Sequence, residues 1–219
     1  MAVAELLKLN MRIVCISDTH GQHRRVEVPD GDLFIHAGDL TMRGELHVVE
    51  DFNDWLGELP HPHKVVIAGN HDFCFEDTRA PVARAALTNC HYLQDEAIEI
   101  GGLKIYGTPW VPRLPLWAFS LEEDADLRDE WAAVPEDVDV LVVHGPPHGY
   151  GDKIYNGSRV GCTELTKRIR EIEPRLVVTG HVHEDYGIYQ LGPTKIVNSS
   201  VLSAWYKLKN NPVRFDLSD

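Results

Sequence analysis

Five short apolar runs constrain this chain more than any other feature: IVCI at 13–16, LFI at 33–35, VVIA at 65–68, VDVLVV at 138–143 and LVV at 176–178. They are rich in β-branched residues and mostly continuous rather than alternating. A strand covered on both faces has this character, because neither of its sides meets water. Helical patterns lie between them. In 45–56, Val48, Val49, Phe52, Trp55 and Leu56 fall on one stripe, and in 162–172, Cys162, Leu165, Ile169 and Ile172 recur at helical spacing. Ser120 and Glu123 fit a capping box opening a helix that carries Leu127 and Trp131. Pro81 and Asn89 mark the start and end of another. Residues 97–100 and 103–106 flank Gly101-Gly102 as a hairpin, and strands at 186–190, 195–197 and 213–215 come after it. Strands alternating with helices, then a strand-rich tail, predict an α/β domain with a mixed sheet or two sheets.

A chain of 219 residues suits one domain, and with no internal repeat or linker-like stretch it reads as a single unit over 1–219, with 1–10 as an N-terminal extension. No apolar run approaches the length of a membrane span, and residues 1–10 lack the basic start and apolar stretch of a signal peptide. The four cysteines are scattered without C-x-x-C pairing, which argues against a disulfide framework or a thiolate zinc site and for a reducing cytoplasm. A formal net charge of −13 disfavours an extended nucleic-acid groove. It leaves room for a small phosphorylated substrate, because bound cations reverse the local sign.

The residues just past each run carry the chemistry. IVCI leads into Ser17-Asp18-Thr19-His20, and LFI into His36-Ala37-Gly38-Asp39. VVIA leads into Gly69-Asn70-His71-Asp72, VDVLVV into His144-Gly145-Pro146-Pro147, and LVV through Thr179 into Gly180-His181-Val182-His183. Strand ends in open α/β sheets converge on one crevice, where ligands bind. A single Asp or His at such a place is usually a turn residue. Repetition at five successive ends is what sets this set apart. Mixed oxygen and imidazole donors suit Mn2+, Fe2+, Co2+, Ni2+ or Zn2+.

In order, D-x-H, G-D, G-N-H-D, a strand-end His and G-H-x-H resemble the signature of the calcineurin-like metallophosphoesterases, over Asp18 to His183. The H-A-G-D motif, Phe52-Asn53-Asp54-Trp55-Leu56, the stretch 66–71, His144-Gly145-Pro146-Pro147 and the stretch 197–201 are similar to the small branch typified by animal metallophosphoesterase-domain-containing proteins. The resemblance implies a four-layer α/β/β/α sandwich with mixed sheets and a dinuclear metal site at the strand C-terminal ends. It implies that Asp18, His20 and His183 hold one ion, that Asn70, His144 and His181 hold the other, and that Asp39 bridges them. The implied cofactors are two divalent transition metal ions, Mn2+ first and Fe, Zn, Co or Ni as alternatives. A metal-bridging hydroxide would attack the phosphorus of a phosphodiester, such as a cyclic nucleotide, or of a phosphomonoester. His71 takes the catalytic role, and Asp72 is expected either to accept from its other ring nitrogen and fix the tautomer or to serve as a helix cap. The alternative is a metal-binding scaffold with little catalysis. His23 and His148, close to the motifs in sequence, and Arg113 are the candidate substrate contacts, while Trp110, Tyr150, Lys153 and Arg159 lie in loops able to line the cleft.

Overall fold

The computed structural model describes residues 10–122 and 124–218. The chain opens with β1 (Asn10–Ile16), β2 (Leu33–Ala37), helix α1 (Leu46–Glu58), β3 (His63–Ile67), helix α2 (Ala80–Ala86) and the short β4 (His91–Tyr92). A hairpin of β5 (Glu96–Ile100) and β6 (Leu103–Thr108) is next, then the two-residue pair β7 (Val111–Pro112) and β8 (Ser120–Leu121). Helix α3 (Asp124–Ala132), β9 (Val140–Val143), helix α4 (Thr163–Ile172), β10 (Leu176–Thr179), β11 (Gly187–Leu191), β12 (Thr194–Asn198) and β13 (Val213–Ser218) complete it. One sheet has the order β13-β1-β2-β3-β4 and the other β11-β12-β10-β9-β6-β5. Both are mixed. β1 to β4 are mutually parallel, as are β6, β9, β10 and β12, while β13, β5 and β11 pair antiparallel at the margins.

The continuous apolar runs are explained by where alternate side chains go. Ile13, Cys15, Leu33, Ile35, Val65 and Ile67 pack against Val140, Val142, Leu176 and Val178 of the other sheet in one buried core. The residues between them face outward. Val14, Ile16, Phe34 and Val66 meet Val49, Phe52, Trp55 and Leu56 of α1 and Ala83 of α2. Leu141, Val143 and Val177 meet Leu127 and Trp131 of α3 and Leu165 and Ile169 of α4. The result is the four-layer α/β/β/α sandwich.

The two sheets are also joined along the chain, at the edge where the parallel strands end. After β12 the backbone bridges both: Ser199 N donates to Thr179 O at 2.9 Å, and Ser17 N donates to Ser199 O at 3.0 Å. Val201 N returns a bond to Ser17 O. This segment fixes the end of β1 beside the end of β10, which brings residues far apart in sequence into one seam.

Two local expectations are corrected. Ser120 is not a helix cap but part of β8, where its hydroxyl accepts from Leu114 N at 2.9 Å and donates to Glu122; Glu123 lies outside the described residues. Helix α2 stops at Ala86, before Asn89, because Asn53 on α1 captures the backbone beyond it. Its Oδ1 accepts from Thr88 N at 2.8 Å and Asn89 N at 2.9 Å, and its Nδ2 donates to Thr88 Oγ1. Among the described residues no helix is long and apolar enough to cross a membrane. Replacing Asn53 by Ala removes the side-chain acceptor of Asn89 N and one of the two acceptors of Thr88 N, and is expected to cost about 1–2 kcal/mol of stability in urea unfolding.

Candidate metal centre

The strands end abruptly, and the residues after them adopt backbone conformations that side chains rarely take. Asp18, His20, Asp39 and His181 all lie in the left-handed region, with φ of 56°, 43°, 59° and 67°. Each such residue costs roughly 1 kcal/mol or more, and the surrounding hydrogen bonds hold it there. Asp18 N donates to Gly38 O at 2.9 Å, His20 N to Asp39 O at 3.1 Å and Gly21 N to Leu40 O at 2.8 Å. Two glycines are required by close approach. A Cβ on Gly69 would collide with Asp39 Oδ1 and the His144 ring, and one on Gly180 would collide with Asp18 Oδ2 and Ser17.

Two donor clusters result. In the first, His183 Nε2 lies 3.3 Å from Asp18 Oδ1 and 3.3 Å from His20 Nε2. In the second, Asn70 Oδ1 lies 3.1 Å from His144 Nε2 and 2.8 Å from His181 Nδ1. Asp39 stands between them, its Oδ2 3.6 Å from His20 Nε2 and 3.3 Å from His144 Nε2. The residues that the family resemblance assigns to two ions and a bridge thus lie side by side in space.

The chemistry of these groups fits a divalent ion. His20 Nδ1 faces Thr41 O at 3.1 Å, His183 Nδ1 faces Ser203 O at 3.0 Å and His144 Nδ1 faces Ala37 O at 2.8 Å. A carbonyl only accepts, so each Nδ1 carries a proton and each Nε2 is the nitrogen turned toward the cluster. His181 is the reverse case, turning Nδ1 inward to the Asn70 oxygen. Burial holds His20 and His181 down to about 4, so both are neutral near pH 7 and able to act as ligands. For Asp18 and Asp39 burial works in the opposite sense and opposes ionisation. The charge and hydrogen bond of His183 overcome it at Asp18, and those of His144 at Asp39, so both stay well below the usual carboxylate range. His144 and His183 feel the converse: burial pushes them down, but Asp39 and Asp18 respectively lift each to about 9. Protons on these two rings sit where a metal would share the same lone pairs.

His71 lies beside both clusters. Its Nδ1 donates to Met42 O at 2.8 Å, and its ring packs against Trp117, with centroids 4.3 Å apart, and edge-on to His20 at 4.5 Å. It lines a cleft of about 270 Å3 with Trp117, Tyr206, Leu114 and Glu184. Asp72 does not touch the His71 ring, contrary to the tautomer-fixing role expected of it; the Met42 carbonyl fills that place. The buried Asp72 carboxylate instead accepts from Leu40 N, Thr41 N, Gly69 N and Thr41 Oγ1, at 2.8–3.1 Å. It clamps the loop after β2 to the loop after β3. Burial and the charge of Asp39 lift it to about 6, against the pull of the backbone donors.

His23 is likewise corrected. It is buried in the outer helical layer, Nε2 2.9 Å from Asp51, with its ring against Phe52 and Trp55, and does not reach the cleft. Arg113 and His148 line a second cavity adjoining the cleft, together with Arg159. Trp110 turns away to Asp95, donating through Nε1 at 3.1 Å. Trp117 and Tyr206 join the site without any motif to mark them, and Tyr206 packs 4.9 Å from His20 and 5.4 Å from His183. The apolar stretch at 114–119 supplies Leu114 and Trp117 to the cleft.

Fold and donor geometry together define a class. Residues 11–185 match the family described as calcineurin-like phosphoesterase, and the chain belongs to that family. Its members depend on two metal ions, and this chain brings Asp18, His20 and His183, His20, Asp39 and His71, and Asp18, Asp39 and His144 close enough together to hold an ion. Among individual relatives, metallophosphoesterase domain-containing protein 1 of Homo sapiens is 40% identical over 230 residues, covering 94% of this chain and 71% of that protein. A UPF0046 protein of Caenorhabditis elegans is 38% identical over 238 residues, covering 95% of this chain and 60% of its own. Two solved structures share the fold. One has a TM-score of 0.66 at 15% identity, covering 87% of this chain and 90% of that one. The other, from Thermus thermophilus, has a TM-score of 0.58 at 14% identity, covering 87% and 89%.

Asp39 contributes to both clusters, so Asp39→Ala is expected to lower Mn2+ retained after gel filtration from about two ions per chain to below one, measured by mass spectrometry of the metal. Gly180→Ala, which displaces Asp18, is expected to weaken retention with Asp39 intact.

Proposed function

We propose that the protein hydrolyses a small phosphorylated molecule, either a phosphodiester such as a cyclic nucleotide or a phosphomonoester. The placement of His71 carries this reading. It lies within ligand reach of His20 and Asp39 at the margin of the two donor clusters, its Nδ1 is committed to Met42 O, and it lines the cleft beside them. Its Nε2 is therefore left for a substrate.

Asp18, His20 and His183 would hold one ion, Asn70, His144 and His181 the second, and Asp39 would be shared. When bound, two divalent ions of the Mn2+, Fe, Zn, Co or Ni type draw in phosphoryl oxygens and acidify water. Roughly four positive charges against the two carboxylates Asp18 and Asp39 leave a local surplus of about +2, in a chain whose net charge is −13. A small anion is favoured there, while a long polyanion meets repulsion elsewhere. Water oxygen adds to phosphorus and gives up a proton to solvent, the ester P–O bond breaks with its electron pair on the leaving oxygen, and His71 hands that oxygen a proton from Nε2, which solvent then replaces. Trp117 and Tyr206 wall the cleft beside His71. All four cysteines are free thiols, which suits a reducing compartment such as the cytoplasm.

Hydrolysis of cyclic nucleotides, linear diesters and monoesters by the purified protein, supplied in turn with each candidate metal, tests the proposal. Turnover of at least one class is expected, with EDTA abolishing it. His71→Ala should retain its metal and lose about 10²–10⁴-fold in kcat. A metal-loaded wild-type protein that hydrolyses no phosphoester would overturn the assignment.

A further inference from the structure

On the far side of His181 the metal cleft adjoins a second, larger cavity. It measures about 540 Å3, against about 270 Å3 on the His71 side, and the two share Leu114, His181 and Glu184 as walls. A phosphoryl group at the metal centre thus has open space on two sides. The first is walled by His71, Trp117 and Tyr206, and the second by Arg113, His148 and Arg159. The larger space falls within the usual range for small-molecule sites, roughly 300–1,000 Å3.

Its electrostatic character is set by three sources. Arg113 and Arg159 both line it, and Glu184, at the boundary with the metal cleft, is the acidic side chain among its described walls. The N-terminus of α4 opens on the same cavity through Gly161 and Thr163, and its peptide dipoles add positive potential. Asp152 organises this wall. It is fully buried and accepts from Gly149 N at 3.0 Å, Gly161 N at 3.2 Å and Arg159 Nη1 at 2.5 Å. It therefore folds the loop between β9 and α4 around the cavity and holds Arg159 at its edge. Arg113 is paired with Asp124, but both are about half exposed, and such a surface pair is readily exchanged for a ligand.

We propose that this cavity binds the non-reacting arm of the substrate, and that the arm bears a second oxyanion, a carboxylate or a further phosphate. The assignment rests on the phosphoesterase reading for the anchoring phosphoryl group. It adds a specificity site, with Arg159 and Arg113 as its anion contacts, to a centre that by itself recognises only phosphorus and oxygen.

Calorimetric titration of the Mn2+-loaded protein tests this without requiring turnover. The probes are alkylphosphonates of graded chain length and their ω-carboxylated counterparts, which share the phosphonate anchor and differ in the distal charge. At the best length the carboxylated ligand is expected to bind about tenfold tighter. Arg159→Ala should reduce that preference to about twofold or less, and Arg113→Ala, at an exposed pair whose loss leaves the fold intact, should also diminish it. Equal affinities at every length in the wild type would overturn the proposal, as would a preference that survives both substitutions. Failure of the phosphoesterase reading appears separately, as absence of ester hydrolysis, whatever the binding ratio shows.

Discussion

Two ionised carboxylates buried in the seam between the sheets are the constraint around which this molecule is arranged. Moving a carboxylate out of water costs several kcal/mol unless charge and hydrogen bonds replace the solvent. Asp18 receives His181 N at 3.0 Å, the Ser17 hydroxyl and the His183 imidazole. Asp39 receives His71 N at 2.8 Å and stands between His20 and His144. Those donors come from four different strand ends. The carboxylates are satisfied only if both sheets end at the same edge, in register. The backbone bridge at Ser199 and the left-handed turns at Asp18, Asp39 and His181 are how the chain meets that demand.

Much of this was legible in the sequence. Strand identity could be read because burial on two faces leaves no polar alternation, and the structure sends alternate residues of each run into the central core and the outer helical layers. The donor groups could be read because each sits one to five residues beyond an apolar run, a position that topology alone carries to the sheet edge. Orientation of the rings could not. It depends on main-chain carbonyls of Ala37, Thr41, Met42 and Ser203, which belong to no side-chain pattern. Asp72 was misread for that reason, since a backbone oxygen took the place assigned to its carboxylate. His23 was misread because nearness in sequence to Asp18 and His20 says nothing about which side of the sheet a side chain occupies. Trp117 and Tyr206 lie on loops whose course is set by tertiary bonds, such as Phe119 N to Glu76 and Ala118 N to Asn70 O.

Fold and chemistry are separable here. Structures at 14–15% identity reproduce the sandwich over most of the chain, so the layers tolerate wide change of side chains. What the layers supply is a rigid edge. The short turns on that edge place the donors, and the longer loops at 114–119, 145–162 and 203–207 shape what can reach them. Reaction class then belongs to the strand ends and selectivity to the loops, which explains why the second is harder to read from residue spacing.

The carbonyl anchors behind the imidazoles have a wider consequence. His20, His144 and His183 each connect an inward-facing nitrogen to the backbone of another segment, so each ring is a strut between a donor cluster and a loop. Ions seated in those clusters would cross-link two sheets that otherwise meet at this edge through hydrogen bonds. Binding to the folded form alone adds stability by mass action, about 2.7 kcal/mol at a hundredfold excess over Kd. Metal supply would then govern how long the protein survives as well as whether it acts, and scarcity would lower the number of folded molecules together with the activity of each.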